Sequence, residues 1–313
     1  MYNIITIGSA LRDFTFYIEQ DKKFKERFIC IPKGVKINIS EAYFTYGGGA
    51  CNVAVGLANF GLKVAVIARV GQDYSGRAII EDLKKKRIET KFVQVDDKLH
   101  TGVSVIIQPK GGERTIFTYR GANDKLQITN YKLQKTKWIY LASLSGNWRR
   151  ILNKIYLGSR IKNLEYKVVW NPGVLQLKTG KKKLEKFLKK TEVLILNRVE
   201  SAILTRGDEK NVPHLLKLLY QLGPKIVVIT CGNEGAYVMD KNGVLYEPAR
   251  AVQVIDTTGA GDSFSSGFLA GLILFNDIKK ALRLGIFNSA ANLHKVGAQA
   301  GLLTKKDLRK IRL

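Results

Sequence analysis

Cysteine is scarce in this chain of 313 residues: there are three, at positions 30, 51 and 231. A small, odd and widely spaced set builds neither a disulfide framework nor a zinc pattern, and it points to a reducing compartment. Histidine is as rare, and His100, His214 and His294 lie too far apart to form a cluster, so each reads as structural or exposed. No apolar run reaches the roughly 20 residues that a membrane helix needs. The N-terminus, Met1-Tyr2-Asn3-Ile4-Ile5-Thr6-Ile7-Gly8, is too short and uncharged for a signal peptide and reads as a first buried strand. No membrane partner and a cytoplasmic location are therefore expected. Acidic residues are the other shortage, 26 against 52 Lys and Arg, for a net charge of +26.

Such a charge raises the question of nucleic-acid binding. The basic runs argue against it. Lys84-Lys85-Lys86-Arg87 and the stretch from Lys181 to Lys190 lie on amphipathic helix patterns, where solvent-facing lysine is ordinary. No zinc finger, helix-turn-helix or aromatic RNA-binding signature accompanies them, so no specific nucleic-acid partner is expected. The charge can still steer an anionic substrate toward the protein.

What is present is a rhythm. Hydrophobic residues make up 45% of the chain, enough for a sizeable core. Short apolar runs alternate with helical patterns, the signal of βαβ units around a mostly parallel sheet. Strands are expected at Ile4–Gly8, Val64–Ala68, Trp138–Ala142, Tyr166–Trp170, Val193–Leu196 and Ile226–Thr230. Helices are expected at Asn52–Phe60, Arg77–Lys86, Pro213–Leu222, Ser263–Leu274 and Ile278–Lys295. Two stretches, about 13–46 and 98–121, break the rhythm with strand-like alternation and no long helix. The second reads as a hairpin around Gly111-Gly112.

The densest information lies in Asp256-Thr257-Thr258-Gly259-Ala260-Gly261-Asp262-Ser263-Phe264. An apolar strand (Val252, Val254, Ile255) is expected before it and a helix after it. Glycines let a backbone turn tightly and bring its N–H groups close to a ligand, and the helix adds its free amides and positive dipole end. Such a turn receives an anion. A carboxylate at its edge, Asp262, is placed to take a proton from an attacking hydroxyl.

That segment resembles the C-terminal signature of the ribokinase-like (PfkB) family of sugar and nucleoside kinases. Gly47-Gly48-Gly49-Ala50-Cys51-Asn52, continuing to Gly61 and followed by Arg69-Val70-Gly71-Gln72-Asp73, is similar to its N-terminal signature. Asn197-Arg198-Val199-Glu200 resembles its Asn-x-x-Glu motif, and Thr230-Cys231-Gly232-Asn233-Glu234-Gly235 its nucleotide-side loop. The four motifs fall in order across the whole chain. The resemblance implies one α/β kinase domain over 1–313, a ribokinase-like three-layer sandwich with a mostly parallel central sheet and a small β-sheet lid. It implies phosphoryl transfer from ATP, with Mg²⁺, to a hydroxymethyl group of a small sugar. A nucleoside acceptor stays open, because Phe14, Phe16 and Tyr17 offer rings on which a base can stack. A phosphorylated sugar, which Arg120 would suit, and a basic nucleic-acid-binding protein on a kinase scaffold also stay open.

Roles follow residue by residue. Asp262 would be the general base, with the Gly259-Ala260-Gly261 backbone stabilising the transferring group. Asp13, just past the first strand, can accept hydrogen bonds from vicinal hydroxyls. Gly48, Gly49 and Asn52 open a helix and are expected to face the acceptor. The spacing around them excludes a Walker A loop, since no Gly-Lys-Ser/Thr follows. Asn197 and Glu200 are expected near Mg²⁺ and the phosphates, although a capped helix start explains the same pair. Thr230, Gly232 and Gly235 would line the nucleotide, and Asn288 would approach the adenine. The resemblance leaves open a monovalent cation, K⁺, near Asp256, Thr258 and Gly297. Apolar lid side chains (Phe14, Phe16, Tyr17, Phe28) predict a homodimer through the lid.

Overall fold

The computed structural model describes residues 1–18, 33–109, 114–128, 133, 136–157, 166–311 and 313. Phe28, Cys30 and the Gly111-Gly112 turn lie outside them. An eight-stranded sheet runs through the middle of the molecule. Six strands are parallel: β1 (Tyr2–Ile7), β4 (Val64–Ile67), β9 (Thr136–Leu141), β10 (Lys167–Trp170), β11 (Val193–Asn197) and β12 (Ile226–Thr230). Two antiparallel strands, β13 (Ala236–Asp240) and β14 (Gly243–Glu247), extend one edge. The order is β14-β13-β12-β11-β10-β9-β1-β4.

Both faces of this sheet are covered, which is why its strands read as continuous apolar runs. Alternate residues go to opposite sides: Ile4, Val64, Val66 and Val228 to one, Ile5, Ile7, Ala65 and Val227 to the other. The first side is packed by α1 (Gly49–Asn59), α2 (Tyr74–Lys85), α8 (Ala260–Phe275) and α9 (Ile278–Asn292). The second is packed by α3 (Trp148–Leu157), α4 (Val174–Leu177), α5 (Lys181–Leu188), α6 (Arg198–Thr205) and α7 (Val212–Gln221). Among the described residues no helix is long and apolar enough to cross a membrane.

A second sheet of four strands, β2 (Leu11–Ile18), β3 (Ile39–Gly47), β7 (Gly102–Pro109) and β8 (Thr115–Tyr119), is ordered β3-β2-β7-β8. Its β2–β3 and β7–β8 pairs are antiparallel and its β2–β7 pair is parallel. A two-stranded pair, β5 (Arg69–Gly71) and β6 (Gln94–Asp96), completes the sheets. Because β2 starts four residues after β1 ends, the small sheet springs from the C-terminal edge of the large one. That is the edge where open α/β sheets bind ligands, at the strand-order switch between β1 and β9.

The six expected strands and five expected helices are present with shifted ends. One expectation fails. Val252, Val254 and Ile255 form no strand, and Val254 and Ile255 are about half exposed. Their tie to the body is a backbone hydrogen bond from Ile255 to the Leu293 carbonyl at 2.8 Å. Among the described residues, this apolar alternation has no strand beside it to pair with.

Candidate active site

Two helix starts meet at the switch point. Helix α1 begins at Gly49 and α8 at Ala260, and the nearest Asp262 oxygen lies 3.6 Å from where a Gly49 Cβ would stand. The α8 start depends on Gly259, whose φ of 81° is left-handed and whose missing Cβ would strike Ala298 at 2.4 Å. Gly261 is the opposite case: a Cβ there would meet nothing within 4 Å, so its side of the turn is open to the cleft. Of the first-turn amides of α8, that of Ala260 donates to the Thr257 carbonyl at 3.3 Å, while those of Gly261 and Asp262 have no acceptor four residues back and lie at the open side of the turn. Further along, Gly267 and Gly271 let α8 lie directly against α9, which fixes the helix that carries Asp262.

Asp262 is partly buried, and its Oδ2 accepts a hydrogen bond from Asn52 Nδ2 at 2.8 Å. Its pKa is pushed up from 3.8 to about 6, chiefly by burial, with the charges of Asp13 and Glu200 adding to the rise and the Asn52 bond opposing it. Asn52 is thus brought to Asp262. It is 5% exposed, and its Oδ1 accepts from Gln299 Nε2 at 3.1 Å while its Nδ2 holds the Asp262 carboxylate. Its Oδ1 and one of its two Nδ2 N–H groups are engaged, so Asn52 positions Asp262. The chain continues outward, with Lys86 Nζ donating to Gln299 Oε1 at 2.7 Å and to Asp82 at 2.6 Å. Gln299 and Lys86 were missed from sequence because the Asn52–Gln299 and Lys86–Gln299 contacts each span more than two hundred residues.

Asp13 is also brought to this cleft. It lies on β2 opposite Thr45 of β3 and Ser104 of β7, and Gly47 is required beside it, since a Cβ there would fall 1.9 Å from its carboxylate. Its pKa also rises to about 6, mainly by burial, with the Asp256 charge adding and Ser104 and Arg12 opposing. Alternation along β2 puts Asp13, Thr15 and Tyr17 on the face toward the body and Phe14 and Phe16 on the other. Phe14 packs edge-on to Phe44 at 5.4 Å on that outer face. This corrects the expected base-stacking set: Phe14 and Phe16 point away from Asp13, and Tyr17 is not part of the outer apolar surface.

Asn197 and Thr230 are register partners at the C-terminal ends of β11 and β12. Asn197 caps α6 reciprocally with Glu200: its Oδ1 accepts from the Glu200 amide at 2.8 Å, and Glu200 Oε2 accepts from its amide at 2.9 Å. Burial raises the Glu200 pKa, opposed by the bond from the Asn197 amide. Gly232 is open, while Gly235 is packed so that a Cβ would lie 2.2 Å from the Glu247 carbonyl. No group of three or more His, Cys, Asp or Glu residues gathers as a metal site among the described residues. A Mg²⁺ carried mainly by nucleotide phosphates, with one carboxylate such as Glu200 nearby, fits this sparse set.

Asn288 is a correction. It is fully buried between α8 and α9; its Nδ2 donates to the Ser263 carbonyl at 2.7 Å and to Ser266 Oγ at 3.1 Å. Its Oδ1 accepts from the Leu303 amide at 2.9 Å. Such a side chain cannot reach an adenine. Asp256, Thr258 and Gly297 do come together: the Asp256 carboxylate accepts from the Thr258 amide at 2.8 Å and the Gly297 amide at 2.9 Å.

A cradle of helix amides beside a poised carboxylate, roofed by a small sheet at the switch point of a parallel one, defines a phosphoryl-transfer enzyme that acts on an alcohol. Residues 1–305 match the pfkB family of carbohydrate kinases, and the chain belongs to that family, whose members are ATP-dependent kinases of sugars and nucleosides. An uncharacterized sugar kinase of Archaeoglobus fulgidus is 30% identical over 256 residues, 81% of this chain and 100% of that protein. The nucleoside kinase of Methanocaldococcus jannaschii, an archaeal member of the ribokinase family, superposes with a TM-score of 0.81 at 23% identity, covering 98% of this chain and 97% of that one. Arabidopsis thaliana ribokinase, complexed with ribose and ATP, superposes with a TM-score of 0.83 at 19% identity, covering 99% and 98%.

Proposed function

We propose that the chain transfers the γ-phosphoryl group of ATP to a hydroxymethyl group of a small sugar, with Asp262 as the general base. One observation carries this reading. The Asp262 carboxylate is held at 2.8 Å by Asn52 at the open turn that starts α8, with its pKa raised to about 6. A base poised near the working pH has both the right protonation state and the drive to take a proton. The Gly259-Ala260-Gly261 turn would stabilise charge on the transferring group through the amides it leaves free, those of Gly261 and Asp262. Asp13 would receive two vicinal hydroxyls and so orient the acceptor. Glu200, with Asn197, Thr230 and Gly232, would lie along the nucleotide, and Mg²⁺, when bound, would neutralise charge on its phosphates.

The sugar reading is favoured over a nucleoside by the lid. Next to Asp13 its inner face carries Thr15, Thr45 and Ser104; the rings on that face, Tyr17 and Tyr43, lie further along the strands, and Phe14, Phe16 and Phe44 lie on the outer face. That outer face also has Phe44 and Phe117 more than half exposed, which supports pairing with a second copy of this chain. In this reading residues 1–313 are one catalytic unit, with about 13–46 and 98–121 as its lid. Cys51 and Cys231 are free and buried, in keeping with a reducing, cytoplasmic setting.

The test is ADP release from ATP over a panel of ribose, fructose, 2-keto-3-deoxygluconate, fructose phosphates, adenosine, cytidine and inosine. The expected result is turnover on a free sugar, reduced roughly 10²–10⁴-fold by Asp262→Ala. Near-normal turnover in that variant would refute the assignment of the base, and a preference for adenosine would refute the acceptor class.

A further inference from the structure

Arg114, immediately before β8, reaches from the lid to the loop that leads into the anion cradle. Its guanidinium donates to Thr257 Oγ1 and, at 3.4 Å, to the Thr257 carbonyl, and it stands 3.9 Å from Asp256 Oδ1. The Asp256 side chain is 1% exposed, so its negative charge sees little water and needs a partner. Among the described residues its ion pair is with Arg114. The oxygens that could otherwise ligate a small cation here are mostly in use. The Gly297 and Ala300 carbonyls both accept from Asn292 Nδ2, at 3.1 and 2.9 Å, and both Thr257 oxygens accept from Arg114. Thr258 Oγ1 and Asn292 Oδ1 are buried without a partner, and these two neutral oxygens beside one carboxylate are too few to replace the hydration of a cation. The residues present therefore do not fit a resident K⁺.

We propose that Arg114 supplies in this chain the positive charge that a monovalent cation would bring to Asp256, and that it delivers this charge from the lid. A guanidinium is permanently charged and presents its N–H groups as a rigid fork, suited to a carboxylate and a neighbouring carbonyl together. A bound ion would stay with the body whatever the lid does. Arg114 leaves when the lid lifts, so the Asp256–Asp262 loop is held in its anion-accepting form when the lid is shut over an acceptor. Arg114 is thus a positioning residue that acts through Asp256 and Thr257.

The experiment compares wild type, Arg114→Gln and Arg114→Lys in potassium chloride and in tetramethylammonium chloride. Backbone amide exchange of peptides covering 256–262 and 297–300 is one readout, and kcat and KM for ATP from ADP release are the other. Wild type is expected to show the same exchange and the same kcat in both salts, within about twofold. Arg114→Gln should exchange faster in these peptides and lose about tenfold or more in kcat in tetramethylammonium, as expected for loss of a charge-assisted contact. Potassium should restore part of both, because the shorter side chain vacates the place beside Asp256. Arg114→Lys should stay within about threefold of wild type, since the charge remains. A potassium requirement in wild type would overturn the proposal. So would an Arg114→Gln that matches wild type in both salts, or a loss that potassium does not relieve. The turnover readout rests on the kinase reading; the exchange readout does not, so an absence of ADP release with every acceptor would count against that reading while the exchange data still decide this one.

Discussion

Replacing Asp262 by Asn should stabilise the ligand-free protein while removing its activity. The carboxyl has a folded pKa of about 6 against 3.8 in an unfolded chain. A carboxyl with a raised folded pKa binds its proton more tightly when native. Its favourable contribution is complete below pH 3.8 and is lost as the pH rises through about 6. At pH 8 the ionised group therefore destabilises the fold by 2.2 pH units, the difference between 6 and 3.8, which is on the order of 3 kcal/mol. Asn is uncharged, keeps an oxygen to accept from Asn52 Nδ2, and is nearly the same size. Urea unfolding at pH 8 should show Asp262→Asn more stable by up to about 3 kcal/mol, and a thermal scan should show a rise of several degrees. The gain should shrink as pH falls from 6 and vanish near pH 4. Asp13→Asn should reduce it, because the Asp13 charge is one cause of the rise. In the wild type, kcat/KM should fall as pH drops below about 6, since the base must be ionised. No stability gain at pH 8, or the same gain at pH 8 and pH 4, would refute the view that Asp262 is a desolvated, function-driven carboxylate.

Two other outcomes follow from the geometry. Asn288→Ala removes three hydrogen bonds between α8, α9 and the Leu303 segment, so it should lower stability by about 2–4 kcal/mol in denaturant unfolding. The KM for ATP should change less than threefold, and a large rise with no loss of stability would restore the side chain to the nucleotide site. Phe44→Glu places a charge on the outer lid face, where Phe44 is 54% exposed, and should shift the protein to a monomer in sedimentation velocity. A wild type that is already monomeric at micromolar concentration would remove the lid-pairing argument.

Much of this architecture can be read from sequence because the parallel strands are buried on both faces. Val64 to Ile67 and Ile226 to Ile229 are unbroken apolar runs, and each sits in the central sheet. Where burial is one-sided or local, the signal weakens. The run around Val254 looks like the others, yet it has no adjacent strand. Site residues that lie within a motif, such as Asp262 with its flanking glycines, carry their own context. Residues that work through distant partners do not. Arg114 gives no sign that it will meet Asp256, since that meeting depends on how the lid strands register against the body. Asn288 gives a false sign: a polar residue on a long helix near a nucleotide motif is as easily a buried clamp as a ligand, and hydrogen bonding decides which.

The nine residues from Asp256 to Phe264 contain two aspartates that sequence makes look alike, and the fold gives them opposite surroundings. Asp256 accepts backbone amides from Thr258 and Gly297 and has the Arg114 guanidinium nearby, so it ties two loops together. Asp262 stands in the first turn of α8, where the helix dipole favours an anion by about 0.3–1 kcal/mol, up to roughly 2 in buried geometry. That effect alone would lower its pKa. The rise to about 6 comes from burial first, with the charges of Asp13 and Glu200 adding to it. The hydrogen bond that opposes this rise comes from the Asn52 side chain, not from the backbone. At the helix start the Ala260 amide donates to the Thr257 carbonyl, and the amides of Gly261 and Asp262 are left for a second anion. In the proposed reaction this division lets one turn of helix serve two charged groups: an amide side chain holds the Asp262 carboxylate, and the free peptide N–H groups would receive the phosphoryl group.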